Sequence, residues 1–200
     1  MSTENRPPRR PSLRDPAILE LMGEGSDPIA QLHAAHETAA VLLRVGRAAD
    51  DPSITQRLLE LVDEIGLSTL ADLWSARPAR TLPGALWRLY FIREWMRTDS
   101  TGVARVYAAG VRFTEPNHVV AGIDPPRPDD VRRIADDILR GAFAGDFAVA
   151  LERAAAFCAV TSAGSADLDG PEALLRATRL QQMAADLAAG ARLWREGSLS

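Results

Sequence analysis

Aspartate followed by proline recurs at Asp15-Pro16, Asp27-Pro28, Asp51-Pro52 and Asp124-Pro125, and this punctuation constrains the fold more than any other feature of the chain. An aspartate carboxylate accepts hydrogen bonds from the free amides of a first helical turn, and proline fits the first helical position, where no donor is needed. The first three pairs therefore predict helix starts. Apolar spacing after the second and third agrees. Ile29, Leu32, His36, Ala39 and Leu43 step by three and four, as do Ile54, Leu58, Leu61 and Ile65, which is one face of a 3.6-residue period. Gly66 is expected to stop the latter helix in a left-handed cap.

Further along, Leu67 to Ala76 reads as a short helix. Pro83 opens PGALWRLYFIREWMR, which is apolar on nearly every side, and a helix without a polar face is normally surrounded by others. Another helix, about Thr101 to Ala109, is expected to end at Gly110. Order resumes at Pro128 with the stripe Val131, Ile134, Ile138 and Ala142. Asp146 is placed to cap a helix carrying Phe147, Leu151, Ala154 and Cys158, and TSAGSADLDG reads as a loop. The last helix, Pro171 to about Glu196, carries Ala173, Ala177, Leu180, Ala184, Leu187, Ala191 and Trp194. This strict four-three alternation with small residues lets a partner helix approach closely. No strand-like alternation appears. The expected fold is all-α: eight or nine helices around an apolar central helix, as one domain over 15–200 behind a disordered basic tail at 1–14 that holds three prolines and four arginines.

Charge and cysteine content narrow the function classes. All 23 basic residues are arginine, and against 27 acids the formal charge is -4, so the overall field does not attract nucleic acid or anionic lipid. The single cysteine, Cys158, excludes an internal disulfide and reads as a buried apolar filler. The N-terminus lacks the apolar segment of a signal peptide and no run approaches a membrane span, so a cytoplasmic protein is expected.

Candidate chemistry is sparse. His33, His36 and Glu37 in QLHAAHETAA suggest a metal site, but the order H-x-x-H-E differs from that of helical zinc proteases and no third ligand is indicated. Packed or hydrogen-bonded histidines are expected, with no metal or other cofactor. Asp129-Asp130 and Asp136-Asp137 resemble paired carboxylates, yet Arg132, Arg133 and Arg140 stand three or four residues away, which predicts a solvated, charge-interleaved surface. RRPSL, Arg9 to Leu13, matches a basic-directed kinase site only over five residues of the tail. No phosphate loop, dinucleotide glycine pattern, nucleophile elbow or zinc-ribbon spacing is present, and no catalytic residue is assigned.

Two places keep a claim on ligand binding. Arg88, Arg93, Glu94 and Arg97 lie on the central helix, where a buried charge needs either an ion-pair partner or an anionic ligand, and structural pairing is the expectation. The segment GVRFTEPNHVVAGIDPPR, 110–127, is longer than most irregular connections, and Arg112, His118 and Asp124 would be the polar contacts of a binding loop.

The segments RPSLRDPAILELMGEGSDP, LPGALWRLYFIREWMR and DDVRRIADDILRGAFAGDFAVALERAAAFC, in that order, resemble a family of small helical proteins from high-GC Gram-positive bacteria, from the tail to about residue 165. Its members are sometimes labelled RNA polymerase β subunit. This chain is too small and lacks that subunit's motifs, so the label is not carried over, and the resemblance implies neither an activity nor site residues. The leading expectation is a non-enzymatic helical protein that acts through protein contacts, with a homodimer through the last helix as one form. Its rival is a small-ligand binder or enzyme with a pocket near Arg88, Arg93 and the 110–127 segment. Nucleic-acid binding by the arginine tail ranks third.

Overall fold

The structure, a computed structural model, describes residues 27–49, 51–113, 127–168 and 170–199. The 1–14 tail, the Asp15-Pro16 and Asp124-Pro125 pairs, and His118 lie outside these residues. Among the described residues there are nine helices and no strand: α1 (Pro28–Ala48), α2 (Pro52–Leu59), α3 (Leu61–Ile65), α4 (Leu67–Trp74), α5 (Leu82–Thr98), α6 (Ser100–Val111), α7 (Pro128–Ala144), α8 (Phe147–Ala166) and α9 (Pro171–Arg195). The fold is all-α.

The Asp-Pro punctuation works as its chemistry demands. Asp27 accepts from the Ile29 amide at 3.0 Å and Asp51 from Ser53 at 2.8 Å, each with proline in the first turn. Asp146 caps α8 by accepting from Ala148 at 2.8 Å and Val149 at 3.3 Å.

Helix α5 is the hub, packing on α7, α1, α4, α9, α8 and α6. Its Leu86, Leu89, Tyr90, Ile92 and Met96 are buried, and the Tyr90 hydroxyl donates to the Leu58 carbonyl at 2.7 Å. One side is left open, because Phe91 is exposed and Trp87 and Trp95 are half-buried. The heptad face of α9, Ala177, Leu180, Ala184, Leu187 and Ala191, is buried, and α8 of the same chain is the chief neighbour of that helix. A second copy would have to meet α9 on another side. Helix α8 is long and apolar enough to cross a membrane, but 67% of its apolar window is buried inside the protein, the position of a core helix. Cys158 on it is fully buried, and burial pushes its thiol up to about 12.

Several boundaries differ from the sequence expectation, each for a physical reason. The buried face of α1 is Ala35, Ala39, Leu43 and Gly46, whereas Ile29 and Leu32 are exposed and His36 is half-buried, because the first two turns of α1 extend past the core. The run from Ile54 to Ile65 is two helices, broken at Glu60, and Gly66 has φ 83°. Gly110 does not end α6, which continues to Val111, and TSAGSADLDG is mostly not a loop, since α8 continues to Ala166.

The last two differences share one cause. A side chain on Gly110 would overlap the Val160 carbonyl, and one on Gly164 would overlap the Val106 carbonyl, so the glycines let α6 and α8 touch backbone to backbone. Beside them the Thr161 hydroxyl donates to Phe157 O within α8 and that of Ser162 to Ala177 O on α9, both at 2.7 Å, whereas the buried Ser165 hydroxyl has no partner among the described residues.

Gly164→Ala is therefore expected to destabilise the protein by about 1–3 kcal/mol or more, because backbone must move to make room. Gly190, in the interior of α9, would place its new carbon 3.5 Å from Leu151, an ordinary contact. Gly190→Ala should instead stabilise by about 0.5–1 kcal/mol through helix propensity. Urea unfolding of the two variants checks this, and equal effects would mean that the α6–α8 crossing is not close.

Candidate functional site

The open side of α5 faces the N-terminal half of α9, and between them lies a groove of about 700 Å³. Its apolar walls come from Phe91 and Trp95 on α5 and from Leu175 and Met183 on α9. Phe91 is 39% and Leu175 52% exposed, so the groove is open to solvent along both walls. The ring of Trp95 is held from behind by an edge-on contact with Phe157, centroids 6.4 Å apart, and Phe157 in turn stacks on Tyr107 at 5.4 Å. The aromatic wall is thus backed by the core.

Charged groups rim these walls. Arg88 donates to the Gly84 carbonyl at 2.9 Å and lies 3.8 Å from Asp186, which also accepts from Gln182 at 3.2 Å. Partial burial lowers the Arg88 pKa from its ordinary value, and Asp186 partly offsets this. Arg176 and Arg179 are exposed and make no ion pair among the described residues, while Glu172 supplies the other acid. Three arginines against two carboxylates leave the groove with an excess of positive charge.

The sequence-derived candidates scatter over the molecule. Arg88 lines the groove. Arg93 does not: it is 3% exposed and its Nε donates to Asp136 at 2.7 Å, with Arg97 at 3.4 Å from the same carboxylate. The buried arginine has its ion-pair partner, as expected on structural grounds. Asp136 is a correction, because it leaves the charge-interleaved surface of α7 and turns towards α5. Asp129, Asp130 and Asp137 do pair with Arg132, Arg133 and Arg140 along α7.

Arg112 is exposed, 3.1 Å from Asp167 and beside the Phe113 ring, and it is not among the groove residues. His118 and Asp124 lie outside the described residues. His33 and Glu37 are exposed on α1, and among the described residues no group of three or more histidine, cysteine, aspartate or glutamate side chains is placed to hold a metal.

Sequence reasoning missed Phe91, Trp95, Leu175, Arg176, Arg179, Met183 and Asp186 as a set. One signal was present, since Leu174 and Leu175 are large apolar residues off the heptad stripe of α9. No family model matches the chain, no curated protein matches it, and no solved structure matches it.

Proposed function

We propose that this is a non-enzymatic cytoplasmic protein that acts through protein contacts, and that the α5–α9 groove is its contact surface. The observation that carries the reading is the composition and openness of the groove. Tryptophan, phenylalanine and methionine walls with an arginine rim are what the centres of protein interfaces favour. An open trough between two helices suits an amphipathic helix laid into it, with apolar side chains against Trp95 and Leu175 and acidic ones against Arg176 and Arg179. Burial of α8 within the bundle favours a core helix over a membrane span. A homodimer would use this same face, since the heptad face of α9 is occupied within the chain.

A second reading rests on two features of the same groove. Its volume is within the range of small-molecule pockets, about 300–1,000 Å³, and Arg88 is a half-buried cation at its edge. An anionic small ligand would sit there.

A photo-reactive benzoylphenylalanine in place of Phe91, illuminated in living cells, separates the two. A protein adduct that disappears with Leu175→Asp, and that is not seen with the same probe at exposed Arg132, is the expected result. No adduct, together with a small-molecule mass retained in native mass spectrometry and lost in Arg88→Ala, would replace the first reading with the second.

A further inference from the structure

Resting on the reading of the groove as a helix-binding surface, we infer that its resident occupant is the chain's own segment from Asp15 to Glu24, so that an external partner must displace it. The first support is composition. In DPAILELMGE the Asp15-Pro16 pair repeats the helix-starting device observed at Asp27 and Asp51. In a helix begun there, Ile18, Leu21 and Met22 share one face and Glu20 lies opposite, the pattern of an amphipathic helix that needs an apolar surface. The groove offers that surface in Phe91, Trp95, Leu175 and Met183.

The second support is charge. Asp15, Glu20 and Glu24 are all the acids of this stretch and it contains no arginine, whereas Arg176 and Arg179 on the groove lip lack ion pairs among the described residues. Opposite charge brings the segment to the lip and sets its orientation.

The third support is reach. Leu43 of α1 and Leu82 at the start of α5 line one pocket with Trp194, and Arg47 stands over that ring at 5.0 Å. Nearer the middle of both helices, Trp74 bonds Thr38 at 3.3 Å and packs on Tyr90. Helix α1 therefore runs antiparallel to α5, and its start, at Asp27, lies towards the later turns of α5. The groove is there too, because Arg88 faces Asp186 and the wall continues to Trp95. Helices α1 and α9 flank α5, and helix axes pack about 8–10 Å apart. The five-residue step from Asp27 back to Met22 spans up to about 17 Å. A tethered segment this close has an effective concentration of about a millimolar, enough to fill a groove of modest affinity.

The test places benzoylphenylalanine at Leu19 in the full chain, followed by illumination of the purified protein and mapping of the cross-link by mass spectrometry. The expected product is a monomer linked to α5 or α9 within 88–95 or 172–186. Reversing the lip with Arg176→Glu and Arg179→Glu, both at exposed positions, should lower its yield about tenfold. A link to Ile29 or Leu32 of α1, a cross-linked dimer, or a yield unchanged by the reversal would each overturn the inference. The Phe91 probe reads the groove independently: an external partner captured there while the Leu19 probe links elsewhere removes the self-occupancy and leaves the groove reading standing. Self-capture by both probes with no external adduct does the reverse.

Discussion

Replacing Leu187 with aspartate is expected to unfold the protein and not to release a folded monomer from a dimer. Leu187 is 1% exposed and belongs to the face of α9 that packs within the bundle. Losing a buried leucine costs about 2–5 kcal/mol through lost contacts and the cavity left behind. An aspartate there also buries an unpaired carboxylate, or else forces its protonation. Together the two effects reach about 5 kcal/mol or more, comparable to the whole stability of a small domain. Leu175→Asp, on the same helix but at an exposed position, should stay within about 0.5 kcal/mol of the parent. Far-ultraviolet circular dichroism with sedimentation of both variants decides the matter, and a folded Leu187→Asp monomer would mean that the α8–α9 contact is not part of the core.

That contrast shows how much of α9 was legible. The heptad pattern identified which face is buried, because close packing of small residues leaves the same signature whatever the neighbour is. It did not identify the neighbour. Helix α8 took that place, and its own end was hidden for a related reason: Thr161, Ser162, Gly164 and Ser165 are buried helical residues at close crossings. Glycine and serine are the residues of loops, and they are also the residues that let helices touch. The local sequence does not distinguish the two uses, whereas the partner glycine, Gly110, is 54 positions away.

The central helix was the most legible element, since apolar residues on nearly every side leave a helix few places other than the interior. Its remaining open side was not legible. Phe91 and Trp95 form a groove only when Leu175 and Met183 face them, and those residues lie about 80 positions further along the chain. The first turns of α1 show the opposite error. Ile29 and Leu32 continue the apolar period faithfully, yet the core stops at Ala35, and no periodicity records where a neighbouring helix ends.

Asp136 carries the other large expected effect. Its neighbours on α7 pair with arginines three residues away, so the local pattern assigned it to the same surface. In the structure it is the carboxylate that neutralises Arg93, and Arg93 Nη1 already lacks a partner, so the buried guanidinium has no reserve. Removing one member of a buried pair leaves an uncompensated charge, at a cost of about 3–5 kcal/mol. Because Asp136 is itself 29% exposed and also serves the more exposed Arg97, Asp136→Ala should fall at the low end, about 3 kcal/mol. Arg93→Met in the Asp136→Ala background should recover about 2 kcal/mol, since an apolar side chain of similar length leaves no charge to solvate. Asp137→Ala, which breaks only the exposed pair with Arg140, should change stability by less than about 0.5 kcal/mol. Urea unfolding of the four proteins measures all three terms. Equal losses for the two aspartate variants, or no recovery in the double variant, would show that Arg93 reaches solvent and that the α5–α7 contact does not depend on this ion pair.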